Sequence, residues 1–144
     1  MKTRAGRSGQ VVVEMLLILP VFLGIVFTIM EIGYVSFQLI VLNHATYEVA
    51  RVGGMTWLMP NGGAAKLNQL MASILPKATV SCSPLATLTD PQAGIQNMDL
   101  KCTGSESVPL IFPISSIILA KPAGSGHRPL SATVYMPIEQ PLPQ

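Results

Sequence analysis

The period of the apolar positions changes along the chain, and each period predicts a different element. From Val11 to Met30 almost every position is apolar, and between Met15 and Met30 there is no charge. As a helix, a run of about 20 residues crosses the hydrocarbon core of a bilayer. From Gln38 to Arg51 the apolar positions thin to a stripe of Leu39, Leu42, Ala45, Thr46, Val49 and Ala50, with Asn43, Tyr47, Glu48 and Arg51 opposite. One long helix is therefore predicted from near Gln10 to near Met55, with Gly53 and Gly54 beginning its end. The stretch "MPNGG" from Met59 to Gly63 reads as a turn. Leu67, Leu70, Met71, Ile74 and Leu75 then recur at helical spacing, so a short amphipathic helix follows, and Pro76 ends it.

Beyond Pro76 the period becomes two. Ala78, Val80 and Cys82 share a face, as do Met98, Leu100 and Cys102, and as do Leu130, Ala132, Val134, Met136 and Ile138. A roughly three-stranded sheet packed on the helices is expected, giving an α+β fold. The connection from Cys82 to Met98 holds Pro84 and Pro91 and reads as a loop. Val108 to Ala120 is uncharged and apolar, but it is short for a crossing and interrupted by Pro109 and Pro113. It is expected to cover the sheet, lie at the membrane surface or contact a neighbour.

Composition sharpens the membrane reading. Only 11% of the 144 residues are charged, against about 25% in a soluble domain. Lys2, Arg4 and Arg7 precede the apolar run and no acid does, so the N-terminus is expected in the cytoplasm and the remainder outside it. Without residues 1–9 the basic and acidic residues nearly balance, six against seven, and no nucleic-acid-binding patch is visible. No small-residue cleavage triplet follows the apolar run, so any cut lies before it. Cys82 and Cys102 fit neither a redox C-x-x-C nor a zinc pattern, and outside the cytoplasm such a pair is expected to form a structural disulfide. A simple hairpin of 77–82 against 98–102 would place the two cysteines at opposite ends, so the bond requires another pairing. No hydrolase, phosphate-loop or zinc-protease motif is present, and neither cofactor nor metal is implied. His44 and His127 read as surface residues.

Two acids break the first apolar block. An acid at the centre of a membrane helix costs about 2.5–3.5 kcal/mol, yet Glu14 stands just inside the run and Glu31 near its far end. The stretch "GQVVVEMLLILP", with "EIGY" and "LNHATYEVARVGG" after it, resembles the TadE-like pseudopilins of tight-adherence pili, relatives of type IV prepilins. The later "IFPISSIILAKP" and "LSATVYMPIE" are similar to that family's closing apolar segment and final strand. The resemblance implies a basic leader, residues 1–9, cut by a prepilin peptidase between Gly9 and Gln10. It also implies an assembly helix over 10–56 and a small extracytoplasmic domain over 57–144. Glu14 would be fifth in the mature chain, and in pilin filaments such a glutamate pairs with the terminal amine of a neighbouring subunit. Opposite charges brought close offset part of each other's cost in low dielectric. The interfacial alternative is that Glu14 favours the helix dipole and snorkels.

Glu31 is either an acid at the outer interface or a partner contact. Pro20 is expected to kink the helix. Gly24 and Gly33 are candidate packing positions, or incidental glycines of a membrane helix. Implied partners are the peptidase, the major pilin, other minor pseudopilins, the inner-membrane assembly platform and membrane lipid. The implied location is the inner membrane, single-pass, with a surface pilus as the destination after assembly. A second reading, from another class, is an uncleaved single-pass anchor presenting an extracytoplasmic binding domain.

Overall fold

A computed structural model describes residues 6–60, 62–90 and 95–139. Its first element, α1, is a helix of 51 residues, Gly6–Thr56, about 75 Å long at 1.5 Å per residue. Pro20 lies inside it and the helix continues on both sides. A helix this long holds because its two halves have different surroundings. From Val11 to Ile25 the large apolar side chains are almost all exposed. From Leu42 onward the predicted stripe turns inward: Leu42, Ala45, Thr46, Val49 and Ala50 are all buried. Asn43, Tyr47, Glu48 and Arg51 face away.

The chain leaves α1 through backbone bonds from Met59 N–H to the Thr56 carbonyl and from Gly62 N–H to the Met59 carbonyl. The second helix, α2, is Ala64–Ile74. It buries Leu67 and Met71 against the core, while Ile74 stays 43% exposed. Pro76 cannot continue the helix, and Leu75 N–H closes it on the Met71 carbonyl.

Three antiparallel strands follow, β1 (Ala78–Asp90), β2 (Ile95–Pro109) and β3 (His127–Pro137), in the spatial order β1-β2-β3. Between β2 and β3 sits a third short helix, α3 (Pro113–Leu119). The inner face of the sheet carries Val80, Cys82, Leu100, Cys102, Val108, Leu130 and Ala132, all buried against α1 and α2. The outer face is polar, with Thr79 and Ser105 hydroxyls 3.0 Å apart and Thr103 and Thr133 hydroxyls 3.2 Å apart.

The strands depart from expectation in one respect. The stretch after Cys82 is not a loop: β1 runs on through Pro84 to Asp90, and a bulge interrupts its ladder between Ala86 and Leu88. Pro84 is tolerated because β1 is an edge strand, where a missing N–H need not break a ladder. Pro91, at the expected turn, lies outside the described residues. The longer strands remove the difficulty over the cysteines. Cys82 pairs directly opposite Cys102, with Lys101 opposite Ser83 and Thr103 opposite Ser81. The two sulfurs are joined as a disulfide on the buried face.

Small residues set how closely α1 lies on the sheet. A Cβ added at Gly104 of β2 would strike the Thr46 hydroxyl of α1. One added at Gly54 would come 2.7 Å from the Pro137 carbonyl. The helix and sheet thus approach with backbone nearly against side chain, which larger residues would prevent.

Candidate functional site: the membrane-facing half of the long helix

The first turns of α1 carry the processing and assembly candidates. Gly9 is helical and exposed, and no heavy atom would lie within 4 Å of an added Cβ. Gln10 and Glu14 are one helical turn apart, and the Gln10 amide donates to a Glu14 carboxylate oxygen at 3.5 Å. That distance is at the long limit for a hydrogen bond, and both groups are exposed, so the contact holds Glu14 weakly. Among the described residues, then, Glu14 has a neutral hydrogen-bond neighbour on an exposed, largely apolar stretch of helix.

Further along, Pro20, Val21, Gly24, Ile25, Thr28 and Ile29 line a shallow apolar groove of about 530 Å³ on the surface of α1. The absent side chain of Gly24 opens it, and the Thr28 hydroxyl turns back to the Gly24 carbonyl at 2.8 Å. Thr28 therefore satisfies its polar group within its own helix, as hydroxyls in apolar helices do. Gly33 lies on an open part of the helix surface, with nothing within 4 Å of an added Cβ.

Glu31 makes its contacts within its own chain. It is fully buried within the chain. One carboxylate oxygen accepts the N–H of Ile111 at 2.9 Å and the other the N–H of Phe112 at 3.0 Å. Phe112 is the N-cap residue of α3, and its own sequence supplies no side-chain cap. Pro113 has no N–H to offer, so the carboxylate takes up the two donors immediately before it. One turn earlier in α1, the ring of Phe27 stacks on Phe112 with centroids 4.7 Å apart. The acid is thus matched by directed donors inside the chain, which offsets its desolvation. No local motif announces this pairing. The one signal in the sequence was an acid without a neighbouring base in an apolar stretch.

The histidines are peripheral. His44 is exposed on α1. His127 is exposed at the start of β3, where a ring nitrogen lies 3.0 Å from the Ser125 carbonyl. Among the described residues no group of three or more His, Cys, Asp or Glu is placed to hold a metal ion.

A bilayer-length apolar helix with exposed sides, running unbroken into the spine of a small α+β domain, is the architecture of a membrane-anchored protein. Residues 9–51, all within α1, match the sequence model of the family described as TadE-like protein. The match begins at Gly9 and includes Glu14, Pro20, Gly24, Glu31 and Gly33. Comparisons with curated proteins and with solved structures gave no match.

Proposed function

We propose that the chain is a pilin-like structural subunit, cut after Gly9, that takes part in assembling or priming a tight-adherence pilus or a related secretion machine. The observation that carries this reading is the TadE-like match over residues 9–51, which falls wholly within α1. The exposed apolar flank of α1 supports it, because that flank suits lipid before assembly and neighbouring helices afterwards. In this reading residues 1–9 are the leader, 10–56 the assembly helix and 57–144 the extracytoplasmic domain. The inner membrane holds the precursor with its N-terminus in the cytoplasm, and a prepilin peptidase, other pilins and the assembly platform act on it in turn.

Glu14 has the central role. Cutting after Gly9 frees an amine at Gln10, mostly protonated at neutral pH. The weak contact between Gln10 and Glu14 leaves the carboxylate available to the amine of an adjacent subunit. Each charge is costly alone in low dielectric and less so beside the other. Because Gly9 is helical here, the first turn of α1 must unwind for the bond to enter a peptidase cleft as extended chain. A helix end opens readily, since few hydrogen bonds are lost there.

The mass of the N-terminus in protein taken from membranes tests the reading. A chain beginning at Gln10 is expected. A chain that keeps residues 1–9 in cells with an active prepilin peptidase would remove the processing step and leave an uncleaved anchor.

A further inference from the structure

Glu31 and α3 belong to one feature that the pilin-like reading does not use. The chain leaves the sheet after Pro109 and rejoins it at His127, and these two residues are register partners. Leu110 N–H donates to the Gly126 carbonyl at 2.8 Å, and Lys121 N–H to the His127 carbonyl at 3.0 Å. The excursion between them is therefore closed at its neck. Its direction follows from packing. Gly54, near the end of α1, meets Pro137, whereas Val108 and Pro109 share a cleft with Tyr34 and Gln38. Strand β2 thus runs back along α1 toward the apolar run, and the excursion emerges where that run ends.

Both ends of α3 are held. Glu31 takes the N–H groups of Ile111 and Phe112, and a guanidinium nitrogen of Arg128 donates to the Leu119 carbonyl at 2.9 Å. What is held presents apolar surface: Ile111, Ile117 and Ile118 are 63%, 72% and 71% exposed. Phe112 stacks on Phe27, which lies inside the apolar run itself.

We propose that residues 110–120 form a foot that beds in the bilayer leaflet nearest the head domain, with Glu31 as the residue that positions it. The inference rests on reading α1 as the spanning helix. Lipid is the occupant because the exposed isoleucines continue the lipid-exposed surface of α1 at the depth set by the Phe27–Phe112 stack. Lys121, exposed just beyond α3, suits a headgroup phosphate. An apolar cluster held rigidly at this level would otherwise face water. A foot of this kind fixes the tilt of the head domain on the membrane.

The test is tryptophan quenching in full-length protein reconstituted into phosphatidylcholine vesicles, with bromine placed either near the glycerol end of the acyl chains or at mid-chain. Trp57 is the only tryptophan, so Trp57→Phe provides the background. Three reporters are added singly: Ile118→Trp in the foot, Leu23→Trp in the span and Thr133→Trp on the outer sheet face. Ile118→Trp is expected to lose most of its fluorescence to the shallow bromines, Leu23→Trp to the mid-chain bromines, and Thr133→Trp to neither. Adding Glu31→Gln should bring Ile118→Trp back to the level of Thr133→Trp and leave Leu23→Trp quenched. The amide would set an N–H group against one of the two backbone donors. If Leu23→Trp is quenched and Ile118→Trp is not, the foot is wrong and the span stands. Blue-shifted emission from Ile118→Trp without lipid quenching would assign the surface to protein and equally overturn the foot. If Leu23→Trp is not quenched, the spanning helix falls and the foot with it. Unchanged quenching after Glu31→Gln would remove Glu31 from the account.

Discussion

At the scale of single residues, two acids in one apolar helix meet opposite conditions. Glu31 is buried and accepts two backbone N–H groups, whereas Glu14 is exposed beside a neutral amide. Removing charge from each should therefore have different effects. Glu14→Gln should insert at least as well as the parent, because an acid leaves the apolar block. It should still be cut, but it should not be recovered with filaments or crosslinked to partner pilins. A Glu14→Gln chain that assembles at the parental level would show that Glu14 is only an interfacial acid. Precursor-to-mature mobility and crosslinking on the same samples separate the two steps. Gly104 offers a second residue-scale test, because an added Cβ would meet the Thr46 hydroxyl. Gly104→Ala should destabilise the head domain by about 1–3 kcal/mol through overpacking. Adding Thr46→Ala should recover part of that loss. Denaturant titration of the single and double variants in detergent measures the coupling, and simple additivity would show that the contact does not limit the approach.

At the scale of elements, the core-facing parts of the two helices read by period were placed by the same force. The second half of α1 and all of α2 are positioned by a buried stripe, so their stability should track that stripe. Met71→Ala should cost about 2–5 kcal/mol, since a fully buried side chain would leave a cavity. Ile74→Ala, on the exposed side of the same helix, should change stability by no more than about 0.5 kcal/mol. Thermal or denaturant unfolding of the two variants distinguishes them, and equal losses would place the α2 contact face wrongly. Strand β1 shows where element reading from sequence failed. Pro84 suggested a loop because proline interrupts a central ladder, but an edge strand does not need that N–H. Edge or centre is a property of the assembled sheet, so the local sequence does not contain it.

At the scale of the whole molecule, the Cys82–Cys102 bond ties β1 to β2 beneath the helices. Closing a chain loop of this length should contribute about 3 kcal/mol in the chain-entropy model. Non-reducing peptide mapping of alkylated envelope protein should recover the two cysteines as one linked peptide pair. Reduction should lower the unfolding midpoint without detaching the protein from the membrane, because α1 anchors it independently. Two alkylated free thiols would contradict the bond. Topology is tested at the same scale by a reporter fused after Gln144, expected to be active only outside the cytoplasm. Activity confined to the cytoplasm would contradict a single crossing.

Much of the architecture was legible because the forces behind it are local and periodic. A run without charge from Met15 to Met30 determines a lipid-compatible helix whatever else the chain does. The stripes from Leu39 to Ala50 and from Leu67 to Leu75, and the alternation from Leu130 to Ile138, determine which faces turn inward. Residues 9–51, which hold the first of these patterns, are the ones that match the TadE-like family model. What the tertiary structure decided was every pairing between distant parts. Cys82 faces Cys102 only because both strands run past their predicted ends. Glu31 reaches the N-terminus of α3 across 80 and 81 positions, and no local motif marks either end. An apolar period specifies that a face must be covered, but not by what. A buried acid specifies that donors must be found, but not where in the chain. Those choices follow from how β2 lies along α1, which is set by small residues such as Gly104 and Gly54 that leave no periodic signal of their own.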